Sequence, residues 1–246
     1  MRRKALLIAN TNGLIGTKAD LDKFSLFLQS NTGGAWHSSE ICKPLYNPSY
    51  LFLIEALQNM KSSKYDYVIV LFSGHGGQVR ETILEINGNE ESINESYLKG
   101  IATRQLTIFD CCRVIINRTL HDSILSKSIM NFSSSNNIRD LIRMKYNERI
   151  MQSIEQQATL YSCSIGQSSY DTNRGAVYLN HLLESAKNNH DREFLTVGVA
   201  HQQTIQPTYE NILNMKNGPQ TPDASLPKCL SAQQLILSIN PSWYLN

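Results

Sequence analysis

Residues 65–77, YDYVIVLFSGHGG, decide how the rest of the chain is read. Val68, Ile69, Val70, Leu71 and Phe72 follow one another without a polar break, the pattern of a strand covered on both faces. The run then stops at Ser73-Gly74-His75-Gly76-Gly77, which delivers a histidine to the carboxyl end of a central strand. In an open α/β sheet ligands bind at that end, and glycines there let backbone and side chains crowd a substrate. A second run of the same kind, Leu106 to Phe109, leads into Asp110-Cys111-Cys112-Arg113. Two strands of one sheet are therefore expected to present an imidazole and a thiol side by side.

Working outward, residues 4–10 predict a first strand. Residues 20–29 predict a helix with Leu21, Phe24, Phe27 and Leu28 on one stripe, capped by Thr17 or Asp20. A short strand at 40–45 and a helix at 49–61 come before the organising strand. This alternation defines an α/β fold with a central, mostly parallel sheet between helices. Past the histidine, residues 81–90 read as a hairpin about Asn87-Gly88, and Ser92-Ile93-Asn94-Glu95 as a capping box opening a short helix that ends at Gly100. Helices are expected at 138–154, at 176–187 and ahead of Pro207, strands at 158–163 and 233–239, and a proline-rich loop at 219–227. One domain is expected over residues 1–246, with the polar tract 131–137 marking 115–140 as an exposed, cleavable linker.

Composition narrows the function. The formal charge of +2 on 246 residues gives no electrostatic footprint for a nucleic acid polymer or an anionic membrane. The apolar run of the basic N-terminus, MRRKALLIAN, is too short for a secretory segment, and no stretch is long enough to span a bilayer. Five cysteines without CxxC spacing argue against a disulfide scaffold or a structural zinc site, so a reducing cytoplasm is expected. The acidic run Glu81, Glu85, Glu90, Glu91 and Glu95 lacks EF-hand spacing and is expected to be solvated.

A cysteine attacks a carbonyl as the thiolate, so it needs a base near neutrality, and an imidazole suits that role. Backbone N–H groups of a Gly-rich turn can then receive the developing oxyanion. His75 and Cys112 meet these requirements, and their separation of 37 residues leaves room for a hairpin, a helix and a returning strand. Asp110 lies two residues before Cys112, so strand alternation puts both on one face, and Ser73 stands in the same relation to His75. A carboxylate at a pocket floor selects a cation. Cys111 turns to the opposite face and is expected to pack.

The chain resembles the caspase-like cysteine peptidases, and the metacaspase branch with its prokaryotic members more than the animal caspases. SGHG at 73–76 resembles the family's histidine motif, and DCC at 110–112 its Asp-x-Cys motif with Cys112 as nucleophile. Residues 14–21, LIGTKADL, are similar to the family's first-loop pattern, residues 161–171, YSCSIGQSSYD, to the strand and loop lining the cleft, and Gln220-Thr221-Pro222 to the segment before the last strand. The resemblance implies a caspase-like α/β sandwich acting as a cysteine endopeptidase without metal or cofactor. In it His75 is the general base and acid, Gly76 and Cys112 supply the oxyanion-hole amides, and Asp110, Ser73 and Asp20 bind substrate. It further implies cleavage of a protein or peptide substrate after Arg or Lys, as an effector of a cell-death or defence response. The motif departs from the family after Cys112, where Arg113-Val114-Ile115-Ile116 stands, and arginine at 113 would favour an acidic side chain instead. Self-cleavage at Arg118, Lys127, Arg139, Arg143, Lys145 or Arg149 is a further expectation. The alternative readings are an effector gated by an activating ligand, such as a nucleotide, or by a partner protein, and a catalytically dead interaction module.

Overall fold

Strand β1 (Arg3–Ala9) opens the chain and is followed by helix α1 (Thr17–Gln29), strand β2 (Leu45–Tyr46), helix α2 (Tyr50–Ser62) and strand β3 (Tyr67–Ser73). The computed structural model describes residues 1–116 and 137–245, and in it β3 is buried at every position, as its unbroken apolar run requires. Short strands β4 (Gly76–Gln78), β5 (Thr82–Glu85) and β6 (Ser92–Asn94) make a small antiparallel sheet before β7 (Arg104–Asp110) returns to the centre. Helix α3 (Asn137–Gln152) and strand β8 (Gln156–Tyr161) come next, then the β9 (Asp171–Thr172) and β10 (Gly175–Ala176) ribbon and helix α4 (Val177–Lys187). The chain closes with β11 (Phe194–Thr196), α5 (Val197–Asn214), β12 (Asp223–Ser225) and β13 (Ile236–Ile239).

The main sheet runs β12-β8-β7-β3-β1-β2, parallel throughout except for the antiparallel edge strand β12. Alternation along its strands divides the interior in two. Ala5, Leu7, Ile69, Leu71, Leu106 and Ile108 face a core shared with α1, α3 and α4, whereas Leu6, Ile8, Val68, Val70 and Phe72 face Leu53, Leu57 and Met60 of α2 and Leu84 and Ile93 of the small sheet. Register aligns Ala9 with Ser73 and Ser73 with Asp110, so three central strands end level with one another. His75 and Cys112 each lie two residues beyond such an end.

Several elements differ from the sequence reading. Ser92–Asn94 pairs as β6 with β5, so the expected capping box does not form; Glu95 accepts instead from the Tyr161 hydroxyl (2.7 Å) and pairs with Lys99 (3.0 Å). Glu91 and Glu95 are buried rather than solvated. The left-handed residue in the β5–β6 turn is Glu90 (φ 63°), not the Asn87-Gly88 pair. Helix α5 continues through Pro207, because Ala200, His201 and Thr204 before it and Thr208 and Ile212 after it are all buried, and this packing outweighs one lost backbone bond. Among the described residues the final strand β13 pairs only with β11, and the sheet edge is filled by β12 from the proline-rich segment.

Most of the expected linker, with Arg118 and Lys127, lies outside the described residues. Arg139, Arg143, Lys145 and Arg149 belong to α3, where Arg139 donates to Gln29 and Trp36 carbonyls, Arg143 pairs with Glu40 and Arg149 is buried. A helical backbone is not extended as a substrate in a peptidase cleft is, which sets these four apart from the exposed linker expected from the sequence.

Candidate active site

A narrow cleft of about 40 Å³ opens at the carboxyl ends of β3 and β7, and His75, Cys112, Ser73, Asp110, Ser169 and Asp171 are among its lining residues. His75 follows β3 directly. Its Nε2 lies 2.7 Å from the Asn12 carbonyl oxygen, which only accepts, so Nε2 carries a proton and Nδ1 is the ring nitrogen left to act as base. The Asn12 carbonyl was not foreseen from sequence. It comes from the loop after β1, brought alongside β3 by strand pairing.

Cys112 is half-buried. Its Sγ lies 3.4 Å from the Ser169 N–H and 3.6 Å from the Ser169 carbonyl oxygen. Gly76 packs closely beneath: a Cβ there would fall 2.8 Å from both the Cys112 carbonyl oxygen and Cys111 Sγ. Only glycine allows the two backbone segments named for the oxyanion hole to approach this closely. Beyond the nucleophile, the Gln78 N–H donates to Val114 O (2.8 Å) and the Ile116 N–H to Gln78 O (2.9 Å), so the segment after Cys112 runs as an extra rung on β4. Cys111 is buried in the core on the α2 side.

The pocket beside the dyad is acidic. Asp20, fully buried, accepts from Ser73 Oγ (2.7 Å) and the Ala176 N–H (2.8 Å). Ser73 thus supports Asp20 as well as lining the cleft. Asp110 accepts from Ser169 Oγ (2.7 Å) and the Leu179 N–H (3.2 Å). A third carboxylate, Asp171, accepts from the Gly16 N–H (2.8 Å), and its Oδ1 is buried without a partner among the described residues. Gly16 and Ala176 cap the N-termini of α1 and α4, so two helix ends aim amides at this pocket. Burial dominates nonetheless. It raises the Asp110 carboxyl to about 7, with the Asp20 charge adding to the rise, and raises Asp20 to about 6 against the pull of its hydrogen bonds.

Asp171 was missed although it ends the stretch read as cleft-lining. Its signal was a carboxylate at the close of a polar loop after a buried strand. Arg113, expected to favour an acidic substrate, is buried away from the cleft: its guanidinium stacks 3.9 Å from the Tyr161 ring centroid and pairs with Asp223 at 3.1 Å. Among the described residues no cluster of metal-ligating side chains occurs, and no helix is long and apolar enough to cross a membrane.

A mostly parallel sheet between helices, with histidine and cysteine at the ends of neighbouring strands, defines a caspase-like α/β protein. The chain belongs to the caspase-domain family, whose model matches residues 2–231. Among solved structures it is similar to caspase-1 from Spodoptera frugiperda, at 14% identity and a TM-score of 0.58, covering 91% of this chain and 88% of that one. It is also similar to a Geobacter sulfurreducens protein solved as a structural-genomics target, at 14% identity and a TM-score of 0.53, covering 95% and 97%. No curated protein sequence matches the chain.

Proposed function

We propose that this caspase-family protein is a cysteine endopeptidase that cleaves protein substrates after Arg or Lys. One observation carries the preference: Asp110 and Asp171 line the cleft that holds His75 and Cys112, Asp20 lies buried behind the lining residue Ser73, and none of the three has an ion-pair partner among the described residues. Buried carboxylates without a counter-ion are held at a cost that a guanidinium or ammonium would relieve.

His75 Nδ1 takes the thiol proton of Cys112, and the thiolate attacks the scissile carbonyl. The Gly76 and Cys112 N–H groups receive the oxyanion, and the imidazolium returns its proton to the leaving amine as the C–N bond breaks. His75 then deprotonates a water that releases the acyl group from sulfur, which restores the thiol.

The cleft volume of about 40 Å³ admits a few waters but not an arginine side chain. This favours a gated enzyme, in which an activating ligand or partner protein widens the cleft before substrate enters. The unpaired state of all five cysteines supports a reducing, cytoplasmic setting.

A peptidyl-arginine acyloxymethyl ketone, which alkylates an activated thiolate, tests the assignment. The expected result is a mass increase confined to the peptide containing Cys112 and much slower labelling by the aspartate analogue. Labelling of Cys163 instead, or equal rates for the two reagents, would overturn the reading.

A further inference from the structure

Ser169 stands where the two halves of the site meet. Its backbone N–H and carbonyl oxygen contact Cys112 Sγ at 3.4 and 3.6 Å, while its hydroxyl donates to Asp110 Oδ1 at 2.7 Å. One residue thus touches the nucleophile with its main chain and the pocket carboxylate with its side chain.

It is held there by Gln220, which is fully buried and uses both ends of its amide on this loop. Gln220 Oε1 accepts from the Tyr170 N–H (3.1 Å), and Nε2 donates to the Ser162 carbonyl (3.0 Å) and to Ser169 Oγ (3.3 Å). Thr221 braces the same loop, donating its N–H to Gln167 Oε1 (2.7 Å) and accepting from Ser164 Oγ (2.9 Å) at its carbonyl. A buried amide is expensive to leave unsatisfied, so this lacing resists displacement.

We propose that Ser169 is a positioning residue that ties the Cys112 thiol to the Asp110 carboxylate, with Gln220 holding it in register. The proposal rests on Cys112 being the nucleophile. A hydrogen bond to the charged form of a group favours that form. The Ser169 N–H, the shorter of its two contacts with Cys112 Sγ, does this for the thiolate, against the carbonyl oxygen, which accepts from the protonated thiol. The Ser169 hydroxyl does it for ionised Asp110, and the bonds share one short stretch of backbone. Loss of the hydroxyl releases the stretch, so both effects decline together.

The test measures two quantities on the full chain: the pH profile of Cys112 alkylation by iodoacetamide, and kcat/KM on matched peptides with Arg or Gln at the scissile position. Ser169→Ala is expected to slow alkylation near pH 7 by about tenfold, moving its midpoint to higher pH, and to cut the Arg-over-Gln ratio by a similar factor, the scale of one hydrogen bond to a charged group. Ser169→Thr keeps a hydroxyl and is expected to restore both. Gln220→Met, which leaves the Tyr170 N–H without its acceptor, is expected to move both in the same direction and serves as the test should Ser169→Ala not fold. A folded variant, Ser169→Ala or Gln220→Met, with the parent's alkylation profile and Arg-over-Gln ratio would overturn the proposal, whatever its melting temperature. If the parent cleaves neither peptide above the Cys112→Ala background even with cell extract supplied as a source of activator, the endopeptidase reading fails, while the alkylation profiles still decide whether Ser169 governs the thiol.

Discussion

Asp110 faces two demands at the scale of single residues: it is buried, which favours the neutral acid, and in the proposed function it receives a cation, which favours the carboxylate. Its pKa is raised to about 7 and that of Asp20 to about 6, both chiefly by burial. A carboxyl raised on folding keeps a proton that the unfolded chain has already lost. Between the unfolded value near 4 and the folded value the native state therefore binds more protons, and its stability falls as pH rises. The stabilising share is complete below about pH 4 and gone above about pH 7. For Cys112→Ala protein, thermal unfolding from pH 6.5 to 8 is expected to show a falling contribution from Asp110, which Asp110→Asn removes. His201, buried neutral with its pKa lowered to about 4, acts in the opposite sense but mainly below pH 6.5. An identical pH slope in the two proteins would show that Asp110 is ionised throughout. Cys112, His75, Asp110 and Ser73, which the structure brings to one cleft, and Asp20 behind Ser73 were named from the sequence because they follow apolar runs or match a motif. Asn12 was not, and Ser169 and Asp171 were read only as part of the cleft-lining stretch 161–171, since what they touch comes from distant chain: Asp171 meets Gly16 across 155 positions, and no local pattern records that.

Among the elements, the β9–β10 ribbon and the first turn of α4 build the pocket. Gly175, at φ +90°, lies where a Cβ would come within 2.2 Å of Asp20 Oδ1. Gly175→Ala therefore combines a backbone conformation unsuited to an L side chain with a clash against a buried carboxylate. A loss of about 2 kcal/mol or more in unfolding free energy is expected, together with a lower preference for basic substrates, because Asp20 must move. Denaturation with urea and a comparison of Arg and Gln peptides would check the two effects, and a neutral outcome on both would place Asp20 outside the pocket. Elements with one strong signal were legible: β3 and β7 as unbroken apolar runs, α1 and α2 as apolar stripes. Ser92–Asn94 misled because a local capping pattern competes with a free sheet edge offered by β5, and pairing won. Pro207 misled because burial on both sides outweighs one missing N–H.

On the scale of the whole molecule, parallel pairing brings three strand ends to one level, and the residues beyond them become the site. The α/β class and its central sheet followed from the alternation of strands and helices. The edge strand β12 did not, because three residues in a proline-rich segment carry no periodicity, and only pairing with β8 makes them a strand. In the proposed function a thiol and an imidazole serve an acidic pocket. This is tested most directly by turnover of fluorogenic peptides bearing Arg, Lys, Asp or Leu at the scissile position, with Cys112→Ala as control and cell extract present or absent. Cleavage after Arg and Lys alone, beyond what extract by itself gives and absent in Cys112→Ala, is expected. Cleavage after Asp or Leu, or turnover that survives in Cys112→Ala, would contradict that function.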